Sequence, residues 1–280
     1  MRFTIGAIIS IFILLSFDVS GQRCANKTAY VILVAGQSNA NGTNSAITEL
    51  TTGMDTKLNS CKVWNGSAFE YLYPIAQNNN QMPASSENGS FAFPVPLVSN
   101  LYDSTQQNIY LINYAIGGTK MYNNASPSVW TSAISTSLYN DFRIWAKNGL
   151  SAISAIEDNY EVLFYFYQGE TDCTNATWAD AYEVNLGNFI DSVRNYLLMP
   201  TMNTYIMRIH SGSSPTYTEL ATVRAAQAAV AAAKINVTMV STDDCTLGAD
   251  LQHLTSAGHI TLANKLSGLI SKKKLIIYRQ

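Results

Sequence analysis

Charged side chains are scarce in this sequence, since only 13% of its 280 residues are Asp, Glu, Lys or Arg. The 17 basic and 19 acidic residues give a formal net charge of −2, and the basic residues are scattered except for a short run at 272–274. We interpret that run as the solvated end of a helix. Proteins that bind nucleic acid concentrate basic charge on one surface. The sequence therefore predicts no nucleic-acid partner.

Long apolar runs are also missing beyond the first residues of the chain. No stretch after residue 21 reaches the ~18 apolar residues that a membrane helix needs. The apolar run Ile5–Phe17 follows Arg2 and precedes small residues, a pattern typical of a secretory signal peptide. We therefore predict a signal peptide over residues 1–21, cleaved near Gly21, with an uncleaved anchor as the alternative. The remaining residues, 22–280, are expected to form one secreted, monomeric domain without a membrane span.

Cysteine is rare as well, with four residues at Cys24, Cys61, Cys173 and Cys245. An even number in an oxidising compartment suggests two disulfides, and the sequence alone leaves three pairings open. Sequons of the type Asn-X-Ser/Thr, which are acceptor sites for N-glycans, occur at Asn26, Asn41, Asn65, Asn88, Asn124, Asn175 and Asn236. These features fit a secreted glycoprotein.

Strand-like and helix-like segments alternate along the chain. Short apolar runs, typical of strands buried on both faces, occur at Tyr30–Ala35, Ile109–Ala115, Val162–Tyr167, Thr204–Ile209 and Val237–Ser241. Apolar residues recur at helical spacing in Ser128–Lys147, Thr177–Leu198, Glu219–Lys234 and Thr255–Ser271. This alternation predicts an α/β fold with a parallel sheet covered on both faces. We interpret the polar region Thr43–Pro94 as a long excursion with one short strand at Lys62–Trp64.

Glycine and polar residues follow every predicted strand. Ligands of open α/β sheets bind beyond the carboxyl ends of the strands, so these residues form a candidate site. They are Gly36-Gln37-Ser38-Asn39, Ile116-Gly117-Gly118-Thr119, Gln168-Gly169-Glu170-Thr171-Asp172, His210-Ser211-Gly212 and Thr242-Asp243-Asp244, the last of which leads into Asp250-Leu251-Gln252-His253.

The same reasoning favours one disulfide pairing. Cys173 follows the loop after the third predicted strand, and Cys245 precedes the segment Asp250–His253. Both loops are expected at one edge of the sheet. We therefore predict a Cys173–Cys245 disulfide, which leaves Cys24 to pair with Cys61.

Histidine occurs at only three positions, and a serine nucleophile usually needs a histidine as its base. His259 lies within a helical pattern and is expected to be structural, whereas His210 ends a strand. His253 lies three residues after Asp250, so the aspartate could hold the imidazole tautomer that faces a serine. From spacing alone, capping and packing of the following helix is an equally good interpretation of this pair.

An oxyanion needs hydrogen-bond donors that are fixed in advance. Ser38 is expected at the start of a helix or tight turn, where backbone N–H groups are free. Gly117 or Gly118 would allow a second N–H to approach closely, and Gln168 offers a side-chain amide. The ordinary alternatives are a strand-to-loop turn for the glycines and a satisfied polar strand end for Gln168.

Taken together and in this order, these segments resemble the sialate O-acetylesterase-like branch of the SGNH hydrolases, which includes plant and bacterial carbohydrate acetylesterases. The resemblance rests on Gly36–Asn39, Gly117–Thr119, Gln168–Asp172 and Asp250–Thr255, and it spans about residues 29–270. It implies a three-layer α/β/α, flavodoxin-like fold. It also implies a serine esterase that uses no metal and no cofactor.

The resemblance assigns roles to the reacting residues. Ser38 is implied as the nucleophile, His253 as the general base and Asp250 as the residue that orients the base. The chain departs from the family at Ala40, where the family usually has methionine. The smaller side chain could widen the pocket or loosen packing under the nucleophile, but it removes no catalytic group.

Other positions are assigned to the surroundings of these three. The implied oxyanion donors are the N–H of Ser38, the N–H of Gly117 or Gly118, and the amide of Gln168; the implied supporting residues are Gln37, Asn39 and Glu170. His210 is our candidate for a substrate contact, because it ends a strand. Trp64, Trp130 and Trp178 could stack on sugar rings, although packing is the better interpretation for any single tryptophan.

We therefore predict a secreted esterase that removes O-acetyl groups from an acetylated glycan through an acyl-enzyme. One alternative is an esterase or lipase of the same fold that acts on lipid or small acyl esters, although the sequence has no clear apolar lid. Another is a carbohydrate-binding relative that has lost its catalytic activity. The presence of every catalytic residue type argues against this alternative. Acetylated xylan, pectin and sialic acid are all compatible with the sequence.

Overall fold

The computed structural model describes residues 28–50, 58–72, 89–123, 126, 128–133 and 135–277. The predicted signal peptide, Cys24 and the sequons at Asn26, Asn88 and Asn124 lie outside these residues, and the statements about them stay predictions.

One sheet of seven strands forms the centre of the molecule, with the order β3-β2-β4-β1-β5-β6-β7. The strands are β1 (Ala29–Gly36), β2 (Leu58–Trp64), β3 (Phe69–Leu72), β4 (Ile109–Ala115), β5 (Tyr160–Tyr167), β6 (Asn203–Arg208) and β7 (Val237–Ser241). All neighbours are parallel except β2 and β3. Without β2 and β3, the parallel strands have the flavodoxin-like order 2-1-3-4-5. The predicted α/β class is confirmed.

Helices connect these strands. They are α1 (Ser38–Asn41), α2 (Pro94–Thr105), α3 (Leu138–Ser154), α4 (Ala176–Asp180), α5 (Tyr182–Tyr196), α6 (Leu220–Ala233) and α7 (Ser256–Ile277). Among the residues that the structure describes, no helix has both the length and the apolar character that crossing a membrane would require.

The structure differs from the sequence-based expectation at three elements. The predicted helix Ser128–Lys147 begins ten residues later, because the backbone around Val129 is extended and forms a bridge with Lys120. Strand β3 and helix α2 were not predicted. Helix α2 begins with Pro94, which is favourable at a first helical position because its missing N–H would have no partner there.

Helices cover both faces of the sheet. Successive side chains of a strand point to opposite faces, and β5 shows this directly. Phe166 packs on Phe189 of α5 with ring centroids 4.6 Å apart, whereas its neighbour Tyr165 packs on Phe93, next to α2, at 6.2 Å. The three layers of the predicted fold are therefore present, and β1, between β4 and β5, has all eight residues buried.

The end of β1 depends on a glycine. Gly36 has a φ of +148°, and a Cβ added there would lie 2.1 Å from the carbonyl oxygen of Tyr167 at the end of β5. The next residue, Gln37, donates its N–H to that same oxygen at 2.9 Å. Only glycine permits this close approach of the two strand ends, and Ser38 follows immediately.

We predict that Gly36→Ala lowers the free energy of unfolding by roughly 3 kcal/mol or more, because backbone must move to admit the methyl group. Equilibrium urea denaturation measures this change. The matched control is Gly268→Ala, where an added Cβ meets no atom within 4 Å; helix propensity should make that variant more stable by about 0.5–1 kcal/mol. An unchanged midpoint in Gly36→Ala would contradict the packing described here.

The structure corrects the predicted disulfides. Cys61, Cys173 and Cys245 are all free and buried, so the Cys173–Cys245 bond is not formed. The reason lies in the sheet order: β6 separates β5 from β7, which puts the strands that precede the two cysteines roughly 10 Å apart. A disulfide needs Cα atoms within about 7 Å. Cys61 is free as well, and Cys24, its predicted partner, lies outside the described residues.

The described sequons differ in exposure. Asn175 and Asn236 are exposed and Asn65 is half-buried, whereas Asn41 is only 6% exposed and lies in α1. A glycan needs a solvent-accessible amide. We therefore predict no glycan at Asn41 in protein from a eukaryotic secretory host, with attachment at the exposed positions. Glycopeptide mass spectrometry measures the occupancy, and a glycosylated Asn41 would mean that α1 is not buried as described.

Candidate active site

A pocket of about 400 Å³ opens at the carboxyl ends of the strands. It lies where β4 and β5 leave β1 on opposite sides, which is the switch point at which open α/β sheets bind ligands. The residues that line it are Gln37, Ser38, Thr43, Gly117, Gly118, Thr171, Thr174, Tyr217, Gln252 and His253. They come from the loops after β1, β4, β5 and β6 and from the loop before α7, as the strand-end argument predicts.

Three predicted residues form a continuous hydrogen-bonded line at this pocket. Ser38 is the first residue of α1, and its Oγ lies 2.9 Å from Nε2 of His253. Nδ1 of His253 lies 2.7 Å from Oδ2 of Asp250. The structure therefore brings together the serine of the first strand end and the histidine and aspartate of the last loop, which are more than 200 residues apart in the sequence.

Asp250 is held in an orientation that serves this line. Its Oδ1 accepts the N–H groups of Gln252 at 2.9 Å and His253 at 3.1 Å, which leaves Oδ2 for the imidazole. Partial burial raises the pKa of this carboxyl, but the two backbone bonds and the imidazole outweigh it, so the pKa of Asp250 is below its usual value. Asp250 is therefore ionised at neutral pH and favours the tautomer of His253 with a proton on Nδ1.

Free backbone donors lie beside Ser38. Because Ser38 begins α1, its own N–H has no partner within the helix. Within the described residues, the N–H groups of Ser38, Gly117 and Gly118 donate no hydrogen bond. A Cβ added to Gly117 would lie 3.6 Å from Cβ of Ser38, so the backbone after β4 passes close to the serine. Gly118 has a φ of +70°, which turns this loop at the rim of the pocket.

The structure contradicts the predicted oxyanion role of Gln168. This side chain is fully buried and does not line the pocket. Its amide nitrogen donates to Oε1 of Gln37 at 3.1 Å, the carbonyl of Thr119 at 3.1 Å and Oδ2 of Asp172 at 2.7 Å. Two N–H bonds shared among three protein acceptors leave none for a substrate. Gln168 instead joins the loops after β1, β4 and β5 through its amide nitrogen, whereas its Oε1 has no hydrogen-bond partner within the described residues.

Asn39 fixes the backbone on both sides of His253. Its Nδ2 donates to the carbonyl of Gln252 at 3.0 Å, and its Oδ1 accepts the N–H of Leu254 at 2.8 Å. The same Nδ2 donates to Oε1 of Glu170 at 2.7 Å. The residue after the serine therefore holds the histidine loop in register with α1, and the supporting positions predicted for Asn39 and Glu170 agree with this geometry.

Glu170 is a buried carboxyl at the base of this arrangement. Only 3% of the residue is exposed, and within the described residues its Oε2 has no hydrogen-bond partner. Burial raises the pKa of Glu170 to about 7, even though the hydrogen bond from Asn39 lowers it. The group is therefore poised to change charge near neutral pH.

Asp172 has a comparable position beneath the loop after β4. Its carboxylate accepts the N–H groups of Met121 at 3.0 Å and Tyr122 at 3.2 Å, besides the amide of Gln168. Burial raises the pKa of Asp172 to about 6, and these hydrogen bonds oppose the rise. The sequence showed Asp172 within the segment after the third predicted strand, but nothing in the pattern indicated that it holds the loop that carries Gly117.

His210 does not lie where it was predicted. It is not among the residues of the pocket, and its Nδ1 accepts the N–H of Gly212 at 2.8 Å, which folds the side chain back on its own loop. Tyr217, further along the same loop, lines the pocket instead and donates its hydroxyl to Oε1 of Gln252 at 3.3 Å. Ala40 is fully buried and also lies outside the lining, so the departure from methionine does not widen the pocket.

Solved structures share this fold. A protein of Arabidopsis thaliana aligns with 87% of this chain and 97% of its own, at 19% identity and a TM-score of 0.70. NanS aligns with 91% of this chain and 98% of its own, at 14% identity and a TM-score of 0.66. A carbohydrate acetylesterase of Xanthomonas citri aligns with 86% of this chain and 54% of its own, at 16% identity and a TM-score of 0.58.

The class that the fold and the pocket define is that of α/β hydrolytic enzymes with a site at the strand ends. A family model described as carbohydrate esterase, sialic acid-specific acetylesterase, matches residues 28–272. The chain belongs to this family, which confirms the predicted resemblance and makes the protein a carboxylic ester hydrolase. No curated protein matches the sequence.

The raised pKa of Glu170 generates a prediction about stability. From about pH 4.5 to pH 7 the unfolded chain releases this proton while the folded chain retains it, so the free energy of unfolding falls as the pH rises. The loss amounts to about 3 kcal/mol over this window. Glu170→Gln cannot ionise and keeps an oxygen that can accept from Asn39, so its stability should fall less between these pH values.

Urea denaturation of both proteins at a series of pH values measures the difference. Glu49→Gln serves as the matched control, because Glu49 is exposed and its replacement should leave the pH profile parallel to that of the natural chain. Parallel profiles for Glu170→Gln would show that Glu170 already ionises at its usual pH in the folded protein.

Proposed function

We propose that this protein removes O-acetyl groups from carbohydrates by means of Ser38, His253 and Asp250. The observation that carries the proposal is the line of hydrogen bonds from Ser38 Oγ through His253 to Asp250, with distances of 2.9 and 2.7 Å. A serine so placed has an imidazole ready to take its proton, and the aspartate stabilises the imidazolium that forms. Membership in the esterase family supports the reaction class.

The first half of the reaction forms an acyl-enzyme. Oγ of Ser38 attacks the acetyl carbonyl carbon while Nε2 of His253 accepts the hydroxyl proton. The negative oxygen of the tetrahedral intermediate receives hydrogen bonds from the N–H of Ser38 and from Gly117 or Gly118, which are free and fixed by α1 and the turn after β4. The intermediate then expels the sugar oxygen, which leaves with the proton from His253.

Water completes the cycle. His253 removes a proton from a water molecule as its oxygen attacks the acetyl-serine, and a second tetrahedral intermediate forms with the same backbone donors. Its collapse releases acetate, and the proton on His253 returns to Oγ of Ser38. The side chains of Asn39, Glu170, Gln168 and Asp172 touch none of the reacting atoms in this scheme; they position the loops that do.

The lining of the pocket supports an acetylated sugar rather than a long-chain lipid ester as the substrate. Among the described residues that line it, none has an aliphatic side chain, and most present an amide, a hydroxyl or a bare glycine backbone. Such groups suit the hydroxyls of a glycan, whereas a long acyl chain would gain little there. A secreted protein that acts on extracellular glycans would also agree with the predicted signal peptide and sequons.

We predict that Ser38→Ala and His253→Ala each lower kcat for p-nitrophenyl acetate by roughly 10⁴-fold or more, and that Asp250→Asn lowers it less. The matched control is His210→Ala, because His210 is also at a strand end but outside the pocket, and it should keep near-normal kcat. Circular dichroism establishes that each variant is folded. Turnover by Ser38→Ala or His253→Ala at the natural rate would refute the mechanism.

The length of the acyl chain that is hydrolysed fastest and the release of acetate from glycans test the proposed specificity for O-acetyl groups on carbohydrates. p-Nitrophenyl acetate should be hydrolysed faster than the butyrate and octanoate esters, and acetate should be released from acetylated xylan, pectin or sialic acid. A preference for octanoate would favour the lipase alternative. Binding of these glycans without any release of acetate would favour a carbohydrate-binding protein.

A further inference from the structure

Three side chains from the segments after β4 and β5 form a partly exposed cluster. Trp178 lies in α4, and the ring of Tyr122 stacks on it with centroids 6.3 Å apart and an interplanar angle of 26°. Nζ of Lys120 lies 4.3 Å from the centroid of the Trp178 ring. All three residues are half-buried. We call Lys120, Tyr122 and Trp178 the aromatic ledge.

The aromatic ledge lies on the same two segments of the chain, after β4 and after β5, that supply residues to the pocket. Lys120 comes two residues after Gly118 and Trp178 comes four residues after Thr174, and both Gly118 and Thr174 line the pocket. A sugar whose acetyl carbonyl lies among the backbone donors has to extend outward from Ser38. If it extends along these two segments, it meets the aromatic ledge.

The backbone beneath the aromatic ledge is fixed. The N–H of Tyr122 donates to the buried carboxylate of Asp172 at 3.2 Å. Lys120 forms a bridge with Val129, and the N–H of Trp178 donates to Oδ1 of Asn175 at 3.2 Å as α4 begins. Rings held in this way lose little freedom when they bind a ligand, which favours affinity.

The chemistry of the cluster suits a carbohydrate. The C–H faces of a sugar ring pack on indole and phenol rings, and an ammonium group can donate three hydrogen bonds to sugar oxygens. The ammonium group of Lys120 makes no ion pair and donates no hydrogen bond within the described residues. The other two tryptophans considered for stacking, Trp64 and Trp130, are buried in the core.

We propose that the aromatic ledge is the subsite for the sugar ring of the leaving group and determines specificity for glycan esters. This inference rests on the proposed esterase function. It assigns the cluster to the part of the substrate that p-nitrophenyl acetate lacks. Substitutions in the ledge should therefore change KM for acetylated oligosaccharides without changing the hydrolysis of the small ester.

The test compares ledge variants with a matched pair elsewhere. Lys62 Nζ lies 5.6 Å from the ring centroid of Tyr71 in the β2–β3 hairpin, where Lys62 pairs with Tyr110 near the start of β4, at the edge opposite to the pocket. Trp178→Ala and Lys120→Met are the ledge variants, and Tyr71→Ala and Lys62→Met are the controls.

For acetylated xylo-oligosaccharides, we expect Trp178→Ala to raise KM roughly fivefold to tenfold, with kcat nearly unchanged, as the loss of one aromatic contact would do. The value of kcat/KM for p-nitrophenyl acetate should stay within about twofold of the natural value, and the control variants should change neither substrate. Acetylated galacturonan oligosaccharides form the second arm. A larger effect of Lys120→Met on these carboxylated sugars than on the neutral ones would show that Lys120 binds their charge.

Calorimetric titration with deacetylated oligosaccharides measures sugar binding at the aromatic ledge independently of ester hydrolysis. Loss of sugar binding in Trp178→Ala or Lys120→Met, but not in the controls, supports the aromatic ledge even if the natural protein fails to release acetate. Binding and KM unchanged in Lys120→Met and Trp178→Ala would overturn it. If Trp178→Ala does not fold, Tyr122→Leu and Lys120→Met carry the same measurements.

Discussion

Two buried carboxyl groups in one loop hold the site together. Glu170 and Asp172 follow β5, and each is bonded to a different neighbour: Glu170 to Asn39, and Asp172 to the backbone after β4. A carboxylate without water is costly unless its oxygens receive hydrogen bonds. The loop after β4 and Gln168 meet this cost for Asp172, whereas Oε2 of Glu170 has no hydrogen-bond partner within the described residues, and the pKa of Glu170 is raised to about 7. The side chains of Glu170 and Asp172 lie outside the lining of the pocket and hold the loops after β1 and β4 in place.

The supporting residues are separate from Ser38, His253 and Asp250, which explains why the hydrogen bonds that link these three residues can be partly exposed. Asp250 and His253 lie in a loop open to solvent, where a single hydrogen bond between two side chains contributes little stability. Their geometry is maintained from below, because Asn39 bonds to the backbone on both sides of His253 while Glu170 holds Asn39. Ser38 and His253 therefore stay accessible at the pocket, and the side chains that support them, Asn39 and Glu170, stay buried.

The sequence predicted well those features that depend on burial and on strand direction. The buried parallel strands are recognisable as short apolar runs, and the rule that ligands bind at their carboxyl ends is enough to collect Ser38, Gly117 and His253 at one pocket. Helix α2 was not predicted, because Pro94 and Pro96 lie at the end of a polar region and obscure its periodicity. The flavodoxin-like order that the resemblance implies already places β6 between β5 and β7, but the Cys173–Cys245 pairing was predicted from the shared edge of the sheet alone and did not use this separation.

Side-chain direction at a strand end is the feature that sequence reasoning could not supply. Gln168 and His210 both follow strands, yet one turns into the interior and the other folds back on its own loop. Whether such a residue faces a substrate depends on which acceptors the neighbouring loops place around it. Asp172 and Thr119 capture the amide of Gln168, and the proposed mechanism therefore leaves the charge of the oxyanion to backbone N–H groups. Those groups belong to α1 and to the turn after β4, where they would need no reorganisation as the charge appears.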